Sequence, residues 1–150
     1  LVSLFGGYNV GDGILYVDSP YLGSSTSGNL NFRFQATSRL RTELRTVVSR
    51  FVNRADEMAV FDVKILRART TYQFTDRFLF RHIMEHNKLD VTLGNNLLMT
   101  YRLNAGTVLF LGYDDRFQQG DQIDSVVFPT TRFQRTNRAF FGKLSYLFRY

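Results

Sequence analysis

Polar and apolar side chains alternate one by one along most of this chain. In "NLNFRFQA", Leu30, Phe32 and Phe34 fall on one side, with Asn29, Asn31, Arg33 and Gln35 on the other. In "LRTELRTVV", Leu40, Thr42, Leu44, Thr46 and Val48 oppose Arg41, Glu43, Arg45 and Val47. "LRARTTYQF" sets Leu66, Ala68, Thr70, Tyr72 and Phe74 against Arg67, Arg69, Thr71 and Gln73. "FLFRHIMEH" sets Phe78, Phe80, His82 and Met84 against Leu79, Arg81, Ile83 and Glu85. "NLLMTYR" sets Leu97, Met99 and Tyr101 against Asn96, Leu98, Thr100 and Arg102. The closing "AFFGKLSYLFRY" sets Phe140, Gly142, Leu144, Tyr146, Phe148 and Tyr150 against Phe141, Lys143, Ser145, Leu147 and Arg149. A period of two is that of a β-strand, whose successive side chains point to opposite faces. "TVLFLGY" is apolar at every position and cannot be oriented this way. With it and "LVSLFGGYNV" the pattern predicts about eight strands, and leaves open whether Gly13–Val17 continues the first.

The connections come in two kinds. Ser38-Arg39, Thr75-Asp76 and Asn104-Ala105-Gly106 read as tight turns. Longer links are expected over Asp18–Gly28, Asn53–Ala59 and Asp114–Asn137, the first and last holding Pro20 and Pro129; Asn87–Asp90 is short but falls on the same side. Strands of roughly nine to thirteen residues, with short turns at one end and long loops at the other, match a tilted outer-membrane β-strand pattern.

Composition narrows the choice. The chain is 44% hydrophobic, with 15 Phe and 8 Tyr, yet its mean hydropathy is −0.18, as interleaving requires. It has no Cys, so disulfides and thiolate metal sites are excluded. No run approaches the about 20 apolar residues of a spanning helix. In a soluble sandwich the apolar stripes would pack on a second sheet; in a membrane barrel they would meet lipid. Their ends are repeatedly Tyr or Phe, the residues that suit headgroup level. The expectation is an all-β, antiparallel transmembrane β-barrel, apolar side outward.

The polar side would then line the lumen with Arg33, Arg41, Arg45, Arg67, Arg69, Arg81, Arg102, Lys143 and Arg149, against Glu43 and Glu85. The net charge of +6 therefore sits along strands, and nucleic-acid binding is not expected. Either these cations attract anions, or carboxylates on strands or a plug outside this segment pair with them; pairing is favoured, because unpaired arginines in a narrow barrel repel one another. Other chemistry is thin. His82 and His86 lie four apart, which on a strand means about 13 Å, too far for one metal. "FGGYNVGDG" lacks the Lys-Ser/Thr of a phosphate loop. Asp114, Asp115, Asp121 and Asp124 could offer calcium a site, though a solvated loop is the default. No catalytic, cofactor-binding or metal-binding residue is expected.

The runs "ILRARTTYQFTDRFLFRHIMEHN", "NNLLMTYRLNAGTVLFLGYDDRF" and "NRAFFGKLSYLFRY" resemble the C-terminal part of a bacterial outer-membrane family of unknown function. Its members carry an N-terminal domain similar to a family-nine carbohydrate-binding module, followed by a large β-barrel. The resemblance rests on Tyr72–Thr75, Leu97–Arg102, Gly106–Leu109 and Lys143–Arg149, and covers Val60–Tyr150 best; Ala105 stands where the family's Pro is expected. It implies that 1–150 are the C-terminal strands of a larger barrel, with upstream strands pairing the first and last. It also makes the terminal aromatics, Phe148 and Tyr150 with Tyr146, resemble the sorting signal read by the outer-membrane assembly machinery.

The functional expectation is a structural or transport, pore-type role in the bacterial outer membrane, linked to saccharide handling through the resemblance. Its partners would be outer-membrane lipid, the assembly machinery, and further subunits or upstream strands. The alternatives are an outer-membrane hydrolase, or a soluble β-barrel binding an apolar ligand inside.

Overall fold

The computed structural model describes residues 1–123 and 126–147, and only the backbone where these fall between 121 and 131. Arg149, Phe148 and Tyr150 lie outside the described residues, as does Asp124. Eight strands form one sheet: β1 (Val2–Leu15), β2 (Tyr21–Gln35), β3 (Leu40–Asn53), β4 (Ala59–Gln73), β5 (Phe78–Asn87), β6 (Thr92–Asn104), β7 (Thr107–Ile123) and β8 (Val126–Tyr146). Each pairs antiparallel with the next, in the order β1 to β8. The sheet is open, with β1 and β8 at its two edges.

The turns use the chemistry the sequence offers. Thr37 Oγ1 accepts the amides of Arg39 and Leu40 at 3.2 and 3.0 Å. Thr75 Oγ1 does the same for Arg77 and Phe78 at 3.3 and 3.1 Å, and Asn104 Oδ1 for Gly106 at 2.9 Å. A short side-chain oxygen at the start of each turn thus replaces a ladder bond that the reversal removes. All three turns lie at one end of the sheet; the connections 16–20, 54–58 and 88–91 lie at the other, with the β7–β8 reversal.

Two expected loops are strands. Tyr21–Gly28 belongs to β2, paired through Tyr21↔Leu15 to Gly28↔Tyr8, so the first link shrinks to 16–20 and β1 runs on to Leu15. The supposed loop Asp114–Asn137 is a long hairpin, pairing from Asp115↔Arg138 to Ile123↔Val126. Its Asp, Gln and Gly residues look loop-like in isolation, but backbone pairing with a neighbouring strand overrides a weak β-propensity. Pro129 lies inside β8; an edge strand has one side free of pairing, where a missing amide hydrogen costs nothing.

Register aligns the alternation from strand to strand. One row runs Val2, Phe34, Thr42, Thr70, His82, Leu97, Tyr113, Phe140. The next face-sharing row runs Leu4, Phe32, Leu44, Ala68, Met84, Asn95, Asp115, Arg138. The opposite face carries Ser3, Arg33, Glu43, Arg69, Ile83, Asn96, Asp114, Ala139. The sheet therefore has one mainly apolar face and one basic face. The unoriented "TVLFLGY" resolves: Leu109, Leu111 and Tyr113 join the apolar face, and Val108, Phe110 and Gly112 the basic one.

Among the described residues, no second layer of secondary structure covers either face. Phe51, 4% exposed, is the buried hydrophobic side chain among the described residues. It sits on the basic face beside Tyr21 and Phe61, with ring centroids 6.2 and 6.0 Å away, and its ring fills the space where Gly23 has no Cβ. The surface is 11187 Å² for 17.4 kDa, whereas a globular monomer of that mass exposes about 7,900 Å². This is a single layer whose faces await cover. Phe51→Ala should cost about 3 kcal/mol by emptying the one enclosed aromatic site, with Phe51→Leu retaining most of it; a shifted urea midpoint in detergent micelles is the readout.

Candidate functional site: two faces of opposite chemistry

Arg33, Arg41, Arg45, Arg67, Arg69, Arg81, Arg102 and Lys143 share the basic face by register. Part of this charge is neutralised from neighbouring strands. Glu43 sits between Arg33 and Arg69, with Oε1 3.1 Å from Arg33 Nε and Oε2 2.8 Å from Arg69 Nη2. Glu85 stands 3.7 Å from Arg67 Nε. These are directly opposed cross-strand pairs, the arrangement in which unlike charges stabilise a sheet. Ser3, Asn31, Arg33, Glu43, Arg45, Arg67 and Arg69 border a cleft of about 390 Å³ with four guanidinium groups and one carboxylate. Arg41, Arg45, Arg102 and Lys143 have no ion pair among the described residues, and Arg81 Nε is buried without a hydrogen-bond partner. These carboxylates belong to this chain's own strands, whereas the expected partners lay outside it; the remainder leaves this face positive.

Two residues on the basic face escaped the sequence reading because they were assigned to a loop. Asp114 accepts a 3.4 Å hydrogen bond from Asn96 Nδ2, and Arg116 follows one face-sharing step along β7. The alternation that places them, "YDDRFQQ", was present but masked by its polarity.

The apolar face is apolar over its short-turn half. Tyr72, Phe74, Phe78 and Tyr101 form a row there, with successive centroids at 4.5, 4.9 and 6.4 Å. Within the apolar band, polar groups find each other: Thr42 Oγ1 and Thr70 Oγ1 are 3.3 Å apart, and His82 Nε2 lies 3.2 Å from Asn95 Oδ1. His82 keeps its place in the register with no bulge beside it. Its partner is the side-chain amide of Asn95 on the neighbouring strand. His86 instead meets the Phe133 ring at 6.5 Å, across two intervening strands, so the hairpin leans over this face.

Towards the long-link end the apolar face turns charged. Asp115, whose side chain is 8% exposed, lies 3.1 Å from Arg135 Nε and 3.8 Å from Arg138 Nε. Tyr113 donates its hydroxyl to Asp115 Oδ2 at 2.7 Å. Arg138 also lies over the Tyr113 ring and Arg135 over the Phe117 ring, at 5.9 and 5.4 Å. Arg135 reaches this face through a bulge: Arg116 pairs with Asn137 but Phe117 with Arg135, leaving Thr136 over. Across the sheet, Asp62 Oδ2 lies 3.0 Å from Lys88 Nζ and 3.8 Å from Lys64 Nζ. None of these clusters was expected.

Of the suggested calcium ligands, Asp124 and the side chain of Asp121 lie outside the described residues. Asp114 and Asp115 point to opposite faces, as adjacent strand residues must, and no group of three metal-ligating side chains occurs among the described residues. No protein family, curated protein or solved structure matches this chain.

Removing the charge between two arginines tests the basic face. Glu43→Gln should leave the sheet intact and lower stability by about 1 kcal/mol, since both pairs are partly exposed; loss of the strand signal in circular dichroism at room temperature would contradict this.

Proposed function

We propose that this chain supplies strands of an antiparallel transmembrane β-barrel in a bacterial outer membrane. In this reading the apolar face meets acyl chains, the basic face lines an aqueous lumen, and the role is structural or of the transport, pore type. The observation that carries it is a single-layer meander in which Phe51 is the buried hydrophobic side chain among the described residues, one face apolar and the other charged. Lipid on the first face and water on the second would satisfy both at once. The paired hydroxyls of Thr42 and Thr70 support it, because a polar group without water must find its partner inside the protein.

The same reading accounts for the ends. The end with the side-chain-capped turns would be the periplasmic side, and the end towards which the long β7–β8 hairpin extends the extracellular one. The two open edges then call for strands to complete the cylinder, as the family resemblance implies. Residual positive charge around Arg41, Arg45 and Arg81 suits an anionic or phosphorylated solute, and saccharide handling remains the expectation attached to the resemblance. The terminal aromatics would serve the assembly machinery, with Tyr146 at the end of the described part of β8.

The absence of cysteine makes the orientation directly testable. Single cysteines replacing Leu44 or Leu66 should resist a water-soluble maleimide once the chain is in lipid vesicles, and those replacing Arg45 or Arg67 should react. The reverse pattern would place the apolar face inside a soluble barrel and overturn the reading.

A further inference from the structure

The margin of the apolar face nearest the long connections carries a positive belt that the lumen reading does not use. On β4, Lys64 is followed on the same face by Leu66, Ala68, Thr70 and then Tyr72. On β8, Arg138 is followed by Phe140, Gly142, Leu144 and then Tyr146. Two strands at different places in the sheet thus repeat one arrangement: a cation, three apolar or small positions, and a tyrosine. Eight residues of strand span about 26 Å. With the usual tilt of about 40° that is roughly 20 Å along a membrane normal, close to the apolar band of a barrel.

The cations are held in pairs. Asp62 gathers Lys64 and Lys88, and nearly buried Asp115 gathers Arg135 and Arg138. Arg50 adds a further positive charge opposite Asp62. Five cations face two carboxylates, so the belt stays positive while its members are already fixed. The lysine side chains are 55% and 53% exposed, and Arg135 and Arg138 45% and 44%, which leaves them within reach of a ligand. Both arginines meet Asp115 through Nε, and the planar guanidinium fork is a group suited to phosphate. The other end of the same face carries the Tyr72, Phe74, Phe78 and Tyr101 aromatic row, with Arg39 Nη1 3.5 Å from the Phe74 carbonyl, whereas the belt gathers cations on carboxylates.

We infer that this belt binds the phosphate groups of anionic lipid headgroups, with Lys64 and Lys88 forming one site and Arg135 and Arg138 the other. Lipid is the occupant because the belt borders an apolar band on the same face; a phosphate carried on acyl chains satisfies both together. The inference rests on the membrane reading above, and it makes the long-link side the leaflet richer in such headgroups. The Thr136 bulge acquires a purpose, since it turns Arg135 towards this margin.

Flotation of the full chain with vesicles separates the two ideas. The chain should partition more strongly onto phosphatidylcholine vesicles containing phosphatidylglycerol than onto pure phosphatidylcholine, with the difference falling as salt rises. Arg135→Gln with Arg138→Gln, and separately Lys64→Gln with Lys88→Gln, should each reduce that preference on the order of tenfold while leaving binding to neutral vesicles unchanged. Inorganic phosphate at millimolar concentration should not compete, because it lacks the acyl part; effective competition would identify a free-phosphate site and overturn the lipid assignment. Equal partition onto both vesicle types, or double variants that keep the preference, would refute the belt but leave the membrane reading standing. Failure to float with either vesicle would remove the membrane reading itself. Carrying the test in two separate clusters guards against one variant failing to fold.

Discussion

A single layer of β-sheet has two faces and no inside, and everything else in this protein follows from that. In a sandwich or a helix-covered sheet, apolar side chains on one face meet those of a second layer. Here the second layer is missing among the described residues, and one large side chain, Phe51, is enclosed. A sheet of this kind is stabilised by its ladders, its cross-strand side-chain pairs and whatever medium covers each face. Ladders alone gain little over hydration. The chemical sorting of the faces is therefore the main determinant of where such a sheet can exist.

The sorting holds because antiparallel register conserves parity. Residues opposite one another share a face, so alternation in one strand is copied to the next as long as no residue is skipped. That is why Arg33, Glu43 and Arg69 form a continuous triad across three strands, and why Thr42 meets Thr70 on the other side. Charge pairing on the basic face has a further consequence. Without Glu43, Arg33 and Arg69 would flank an uncharged position while Arg45 and Arg67 stand directly opposite each other one step along. The carboxylates keep a dense row of guanidinium groups compatible with one sheet, while leaving it net positive.

The strands and their orientation were legible wherever both the polar and the apolar member of the alternation was unambiguous, as in "LRTELRTVV" and "LRARTTYQF". The tight turns were legible too, because Thr37, Thr75 and Asn104 bring their own hydrogen-bond acceptors. What was not legible was the upper part of the hairpin. Asp114 to Gln119 alternate between faces as faithfully as the lower strands do, but both sides there are polar, and polarity was read as looseness. The same misreading hid Asp115, Arg135 and Arg138. Tyr21–Gly28 was lost differently: "YLGSSTSG" has small residues on both sides, and its strand character comes from pairing with β1 and β3. Local composition cannot report that. The charged pairs around Asp62 needed spatial information as well, since Lys88 approaches from a separate turn.

One residue outside the alternation decides the chemistry of an entire margin. If β8 ran without interruption past Asn137, Thr136 would face with Arg138, and Arg135 would turn to the basic side. The shift between Arg116 and Phe117 absorbs Thr136 and reverses the parity of Arg135 and Phe133 before it. Arg135 and Phe133 then come to the apolar face, where they meet Asp115 and His86. Thr136 is not idle at the break: its hydroxyl donates to the Arg116 carbonyl at 3.3 Å, so the bulge has a bond of its own. Bulges bend and re-aim a strand at a fixed place. Here the re-aimed side chain is the second arginine of a pair on a nearly buried carboxylate, and without it Asp115 would keep only the more distant Arg138 as its cation. The bulge and the cluster therefore stabilise each other, which ties a local irregularity in the backbone to one of the charged clusters at this margin of the apolar face.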